Sequence, residues 1–197
     1  MSLFCLENIS AQKRHKKNIK KSTKVAKDIK KESSNVLHQE MLLCYTMYDM
    51  PSWYLQVVNG FKFPENMQVP ANYRIASIND TLLNKYLHTI PYDVYNKKIT
   101  IPIYQNFKVE CKEFLIQRVI TMDSSLQAKY PELMTFKAMD EMNKLNTARI
   151  DCDGVSTKIM VNMDGQYYFV TPVVFNKKTY YVCYAQNDPN FQKQSFE

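Results

Sequence analysis

The chain has 197 residues, 45% of them apolar, and a net charge of +7 at neutral pH. This length fits one folded domain with an additional segment, and the apolar content is sufficient for a hydrophobic core. The three glycines lie far apart, which excludes the glycine-rich loops that bind nucleotide phosphates. No apolar run approaches the roughly 18 residues of a membrane-spanning helix, and the N-terminus lacks the pattern of a signal peptide. We therefore expect a protein that is neither secreted nor transmembrane.

One short segment carries more positive charge than the whole chain. Residues 12–31 hold ten basic residues and one acidic residue, a net charge of +9, so the remainder of the chain sums to −2. The basic residues are Lys13, Arg14, Lys16, Lys17, Lys20, Lys21, Lys24, Lys27, Lys30 and Lys31. On a helical projection the lysines occupy one side, so an anionic surface would induce a basic amphipathic helix. We predict a polyanion-binding arm at residues 1–35 and a single globular α+β domain at residues 36–197.

Three kinds of partner carry the negative charge that this arm would bind. They are nucleic acid or a ribonucleoprotein, an anionic membrane surface, and a nuclear import receptor. For the last, Lys13, Arg14, Lys16 and Lys17 have the compact arrangement of a nuclear localisation signal. The plain alternative is a solvated tail that keeps the protein in solution.

The first half of the folded part predicts short strands and one helix. Residues 36–48 fit one or two helical turns, or a strand from residue 44. Strands are predicted at residues 53–58, 73–78 and 99–104, with a helix at 82–89 that is capped by residues 79–81. Asn59-Gly60 predicts a hairpin turn that continues into residues 61–63. Pro102 indicates that the strand at 99–104 lies at a sheet edge, because proline has no N–H to donate.

The second half predicts further strands and two helical pieces. Residues 107–122 favour one long strand or two, with a helix as the competing prediction. Asp123 is a candidate N-cap for a helix at 126–130, and a second helix is predicted at 131–146. Its buried side would carry Leu133, Met134, Phe136, Met139, Met142 and Leu145. Residues 158–163, 166–175 and 179–185 predict a three-stranded antiparallel meander with a turn at Asp164-Gly165. The predicted class is α+β, an antiparallel sheet with two or three helices.

Few residues suggest catalysis. The five cysteines are scattered without a CxxC pair, which favours free thiols in a reducing compartment. The three histidines are far apart, so we predict no metal, no cofactor and no enzymatic activity. A cysteine nucleophile is the weaker alternative. Aromatic residues in the C-terminal strands favour core or interface packing, with base stacking as the alternative.

Tyr130-Pro131-Glu132-Leu133 matches YPxL, a short motif with which some enveloped-virus proteins recruit host budding machinery, although the same residues also suit a helix start. Together with the basic arm, the neutral domain from Val36 and the unpaired cysteines, this layout resembles the rhabdovirus-type matrix proteins of negative-strand RNA viruses. The proline-rich late motif common in that family is missing near the arm. The resemblance implies a compact α+β domain that self-associates behind a lysine-rich N-terminal segment. It also implies a structural protein that bridges nucleocapsid and anionic membrane.

The function expected from these observations is that of a viral matrix-type protein in the virion, the host cytoplasm and the membrane periphery. The alternative is a nucleic-acid-binding viral protein, for which the host nucleus is a further expected location. It would be either a capsid protein with an internal basic arm or a nuclear-targeted regulator such as a silencing suppressor.

Overall fold

The computed structural model describes residues 41–46 and 49–189, where alternating apolar and polar side chains form one curled antiparallel sheet. The strands are β1 (Met41–Cys44), β2 (Trp53–Gln56), β3 (Arg74–Ser77), β4 (Lys97–Gln105), β5 (Lys108–Val119), β6 (Met134–Met139), β7 (Thr147–Cys152), β8 (Thr157–Met163), β9 (Gln166–Phe175) and β10 (Lys178–Ala185). The helices are α1 (Asp80–His88) and α2 (Ser124–Lys129). Strands make up 48% of the described residues and helices 10%. The α+β prediction is therefore wrong.

Two meanders join to make this sheet. The strand order is β1-β2-β3-β10-β9-β8-β7-β6-β5-β4, and every neighbouring pair is antiparallel. The first meander, β1 to β3, is followed by α1, and the second, β4 to β10, returns to pair with β3. A sheet of this many strands curls because each strand twists relative to its neighbour. The result is a nearly closed, barrel-like sheet, in which the predicted C-terminal meander forms the middle rather than a separate unit.

The largest error of the sequence analysis lies at residues 131–146. The predicted helix is instead a turn, strand β6 and the loop that leads to β7. The apolar residues there fit both periods, but Met134, Phe136 and Ala138 face inwards with the period of two that a strand requires. Pairing with β5 on one side and β7 on the other decides between the two periods. Met142 and Leu145, expected in the core, are 93% and 85% exposed.

Several other predicted elements agree with the structure. Strands β2 and β3, the long strand β5, helix α2 and the turn at Asp164-Gly165 lie where they were predicted, with end differences of a few residues. Helix α1 begins after Asn79, whose side chain accepts a hydrogen bond from the Leu82 N–H at 3.1 Å. Residues 41–44 form a strand rather than a helical turn. Asn59-Gly60 makes a turn, but residues 61–63 do not form a strand after it.

The predicted edge strand is confirmed, since β4 is last in the strand order. Proline is accepted at position 102 because an edge strand has no further strand to which the missing N–H would have donated. Other backbone groups along the same edge are hydrogen-bonded by side chains. The Trp53 indole N–H donates to the Thr100 carbonyl at 2.9 Å, the Thr100 N–H lies 3.4 Å from the Met50 sulfur, and the Tyr86 hydroxyl donates to the Lys98 carbonyl. This edge is therefore closed by side chains.

Helix α1 packs across one end of the curled sheet, which we call the helix end. Its Leu83 and Leu87 are fully buried against the apolar interior that the sheet encloses. The Asn84 side-chain amide donates to the Gly154 carbonyl in the β7–β8 loop at 2.8 Å. The turns β4–β5, β6–β7 and β8–β9 lie at the opposite end, which we call the open end.

A second apolar cluster covers the outer face of β9 and β10. Val173, Val182 and Tyr184 are buried there beneath aromatic and methionine side chains. Those covering side chains are Phe61, Phe63, Met67, Tyr73 and Phe169. Residues 61–63 thus serve as cover for the sheet, which explains why they form no hairpin with β2.

A disulfide joins Cys44 of β1 to Cys111 of β5, 67 residues away along the chain. The expectation that all cysteines are free is therefore wrong for this pair. Sequence spacing could not reveal the pairing, because the curling of the sheet is what brings its two ends together. Cys152 and Cys183 are free and buried.

Candidate functional sites

The predicted polyanion-binding residues, Lys13 to Lys31, lie outside the described residues. The same holds for the predicted nuclear localisation signal and for the boundary between the arm and the globular domain near residue 36. These predictions therefore rest on the sequence. The described sheet contains none of the ten residues.

The Tyr130-Pro131-Glu132-Leu133 stretch follows α2 at the helix end. Tyr130 and Pro131 are exposed, whereas Leu133 is partly buried. The Leu133 N–H donates to the Tyr130 carbonyl at 3.2 Å, and the Gln127 side chain donates to the Leu133 carbonyl at 3.1 Å. The stretch is thus a hydrogen-bonded turn, and a partner that binds it in extended form must first open these contacts.

Most aromatic residues of the C-terminal strands are packed, Tyr168 and Tyr181 in the enclosed core and the others in the cluster on the outer face. Tyr168, Tyr180, Tyr181 and Tyr184 are buried, so their rings have no free face for base stacking. Phe169 is half-buried on the outer face and stacks on Tyr184 with 5.2 Å between ring centroids. These side chains therefore pack within the protein, as the sequence analysis favoured, and do not form a platform for base stacking.

A buried polar cluster connects α1 to the sheet at the helix end. The Tyr181 hydroxyl donates to the Asp80 carboxylate and accepts from the Thr157 N–H at 3.3 Å. Burial raises the pKa of Asp80, and the hydrogen bond from Tyr181 works in the opposite direction. Burial, and then the bond to Asp80, raise the pKa of Tyr181. The hydrogen bonds of this cluster anchor helix α1 to strand β10.

The free thiols in the described part of the chain are not activated for nucleophilic chemistry. Burial raises the pKa of the Cys152 thiol and raises that of Cys183 to about 12. Both are therefore protonated at neutral pH, whereas a cysteine nucleophile reacts as its thiolate. Within residues 41–46 and 49–189 no three His, Cys, Asp or Glu side chains are arranged to hold a metal ion. None of the helices in these residues is long and apolar enough to cross a bilayer.

The open end of the sheet contains a recess of about 460 Å³. Tyr104 of β4 and Tyr168 of β9, each 5% exposed, mark the point where the apolar interior ends. Carboxamide side chains dominate the lining above them, and these are Asn72, Gln105, Asn106, Gln166 and Asn187. The volume is within the range of small-molecule sites, which are common at the mouths of curled sheets.

Two side chains, Asp188 and Arg74, hold the rim of this recess in place. Both carboxylate oxygens of Asp188 accept backbone hydrogen bonds, from the N–H groups of Ala71 and Asn72, each at 2.7 Å. The Arg74 guanidinium lies 5.6 Å from the centre of the Tyr104 ring and donates to the Phe107 carbonyl at 3.3 Å. The segment after β10 and the β4–β5 turn are thereby tied to the residues around β3.

Sequence reasoning missed the recess because its residues come from four separate parts of the chain. The available signal was local: Gln105 and Gln166 each adjoin a tight turn that joins two strands, so both side chains lie at the same end of the sheet. Carboxamides at strand ends are too common for this signal to identify a site without the sheet topology. Comparison with known protein families, curated proteins and solved structures finds no match to this chain.

Proposed function

We propose that this chain is a viral matrix-type structural protein. The basic segment at residues 12–31 binds anionic membrane and nucleocapsid, and the curled sheet makes contacts between copies of the chain. The observation that carries this proposal is the segregation of charge, with +9 inside the segment and −2 outside it. Such a division separates an electrostatic arm from a body that anionic surfaces do not attract.

Simple electrostatics supports this role for the segment. Each Lys or Arg near an anionic bilayer contributes about 1 kcal/mol to binding. Neutralising nucleic-acid phosphates releases counterions, so the same lysines also bind RNA with steep dependence on salt. One set of charges therefore serves both surfaces that a matrix protein bridges.

The described sheet competes little for the same partners. Several of its cations already lie in ion pairs. These pairs are Lys98 with Glu113 and Glu141, Lys112 with Glu110, and Arg149 with Asp151. Exposed apolar side chains of β1 and the residue that follows it supply a surface for contacts between copies, with Met41, Leu42 and Tyr45 57%, 50% and 72% exposed.

Co-sedimentation with anionic liposomes tests the proposal on the full-length chain. One variant changes five lysines of the segment to glutamine, at Lys16, Lys17, Lys20, Lys21 and Lys24. The matched control removes five exposed charges from the described part of the chain, at Lys62, Lys85, Lys108, Lys137 and Lys158. We expect the segment variant to bind at least about a hundredfold more weakly and the control to bind like the unmodified chain. Equal losses in both variants would contradict the role of the segment.

Adding excess single-stranded RNA distinguishes a segment that bridges membrane and nucleocapsid from one that binds only nucleic acid. Liposome binding that persists and carries RNA into the pellet supports bridging of membrane and nucleocapsid. Binding that RNA abolishes instead supports the nucleic-acid-binding alternative, a capsid protein or a nuclear-targeted regulator. Sedimentation at rising protein concentration without RNA tests self-association, which the matrix proposal requires. The nuclear localisation signal and the budding motif stay predictions at this stage.

A further inference from the structure

The recess at the open end is polar and mostly uncharged, unlike the basic segment. No lysine, arginine or histidine is among its lining residues. Its one carboxylate, Asp188, already accepts two backbone hydrogen bonds. The cation at the rim, Arg74, already contacts the Tyr104 ring and donates to the Phe107 carbonyl. A phosphate or carboxylate ligand would therefore lose hydration without gaining a cationic partner in the lining, and such burial is unfavourable. The lining therefore selects against anions and favours an uncharged ligand.

The five carboxamides define what kind of uncharged ligand fits. Each carboxamide carries an NH₂ donor group and a carbonyl acceptor, and the NH₂ of Gln166 already donates to the Tyr167 carbonyl at 3.2 Å. A ligand that matches them must also donate and accept at several neighbouring positions, as hydroxyl groups do. Phe107 stands on the rim with 72% of its surface exposed and offers a flat apolar face beside these polar groups. A sugar ring has both features, since its hydroxyl groups lie around its edge and its C–H groups form an apolar face.

The recess is also held open before any ligand arrives. Asp188 fixes the segment after β10 against Ala71 and Asn72, and Arg74 fixes the β4–β5 turn through the Phe107 carbonyl. The Gln186 N–H donates to the Tyr167 carbonyl at 2.8 Å, which continues the pairing of β9 and β10 to the rim. A site whose walls are fixed in this way loses little conformational entropy when a ligand binds.

We propose that the recess at the open end is a binding site for a neutral saccharide. The ring lies against Phe107, and its hydroxyl groups bond to the carboxamides of Gln105, Asn106 and Gln166. The lining shares no residue with the basic segment, so variants of the two can be tested independently. The proposal goes beyond the function proposed above and does not depend on it.

NMR titration of the full-length, ¹⁵N-labelled chain tests this assignment. The probes are glucose, galactose, mannose and N-acetylglucosamine, with glucuronate and glucose 6-phosphate as charged comparators and uridine as a base-bearing one. We expect at least one neutral sugar to shift the side-chain NH₂ signals of Asn106 and Gln166 in a saturable manner. The charged sugars should bind more weakly than their neutral counterparts, because the lining contains no lysine, arginine or histidine and Arg74 at the rim is already engaged.

Two variants and two matched controls locate the site. Phe107→Ala and Gln166→Ala should each weaken sugar binding about fivefold or more, the worth of one good contact. Tyr92→Ala removes an exposed aromatic ring outside the lining, and Gln117→Ala removes a glutamine from β5 outside the lining, so both should bind normally. No saturable shift at about 50 mM sugar would overturn the proposal. It would also be overturned by tighter binding of a charged sugar, by binding of uridine alone, or by equal losses in variants and controls.

Discussion

Tyr181 illustrates how much one side chain contributes in this fold. Its ring is fully buried, meets Trp53 edge-on with 5.1 Å between centroids, and carries a hydroxyl that bonds to both Asp80 and the Thr157 N–H. Helix α1, strand β8 and strand β2 therefore all contact one residue of β10. Loss of the hydroxyl leaves a half-buried carboxylate and a buried N–H without this partner, which is costlier than loss of an exposed bond.

Replacing Tyr181 by phenylalanine should lower the free energy of unfolding by about 1–3 kcal/mol at pH 7. The cost should depend on pH through Asp80, whose folded pKa lies above its ordinary value of 3.8. A raised carboxyl pKa favours folding most below 3.8 and loses that contribution as pH rises through the folded pKa. The Tyr181 bond opposes the rise, so its removal raises this pKa further and costs more at pH 7 than at about pH 4.

Urea unfolding of Tyr181→Phe and the unmodified chain at both pH values measures this difference. The same substitution in an Asp80→Asn background is the control, because the pH dependence of its cost should then disappear. A cost that is the same at both pH values in the original background would show that Asp80 does not gain from the hydroxyl.

At the scale of elements, α1 closes the helix end through a few apolar side chains. Leu83 and Leu87 are fully buried in the main core, while Leu82, the residue before Leu83, is 47% exposed. The helix is short, so packing rather than intrinsic helix propensity must hold it in place. Its sequence signals nevertheless suffice to locate it, because Asn79 caps the first turn and Pro91 prevents extension.

Leu83→Ala should therefore lower the free energy of unfolding by about 2–5 kcal/mol, since a buried leucine leaves a cavity when truncated. Leu82→Ala in the same turn is the matched control and should change stability by about 0.5 kcal/mol or less. Urea unfolding of both variants gives the comparison. Similar costs for the two leucines would mean that α1 does not pack on the sheet as described.

At the scale of the whole molecule, the disulfide ties the first strand of the sheet to the strand next to its last. Cross-linking residues 67 apart constrains the unfolded chain strongly. The side-chain bonds along the β4 edge close the same region without a further strand. Closure of the sheet thus combines one covalent link with directed hydrogen bonds, while the end that bears the tight turns contains the recess.

Cys111→Ser should lower the free energy of unfolding by about 2–4 kcal/mol under non-reducing conditions. The difference from the unmodified chain should shrink when a reductant is added, because the unmodified chain then loses the same cross-link. Urea unfolding with and without reductant measures both effects. A thiol assay in denaturant should find two fewer reactive thiols before reduction than after it, and equal counts would show that the bond does not form.

The sequence by itself determined the features that depend on neighbouring residues. Asn79 and Asp123 located helix starts, Asp164-Gly165 located a tight turn, Pro102 identified an edge strand, and the charge count separated residues 12–31 from the rest. Each of these signals is local, because a cap, a turn or a charge run acts within a few residues.

Only the tertiary structure decided the features that depend on distant partners. Residues 131–146 fit a helix and a strand equally well until β5 and β7 paired with β6. The link between Cys44 and Cys111, and the meeting of Gln105 with Gln166 at the open end, follow from curling of a ten-stranded sheet. Strand pairing joins residues far apart in the chain, so neither periodicity nor spacing records it.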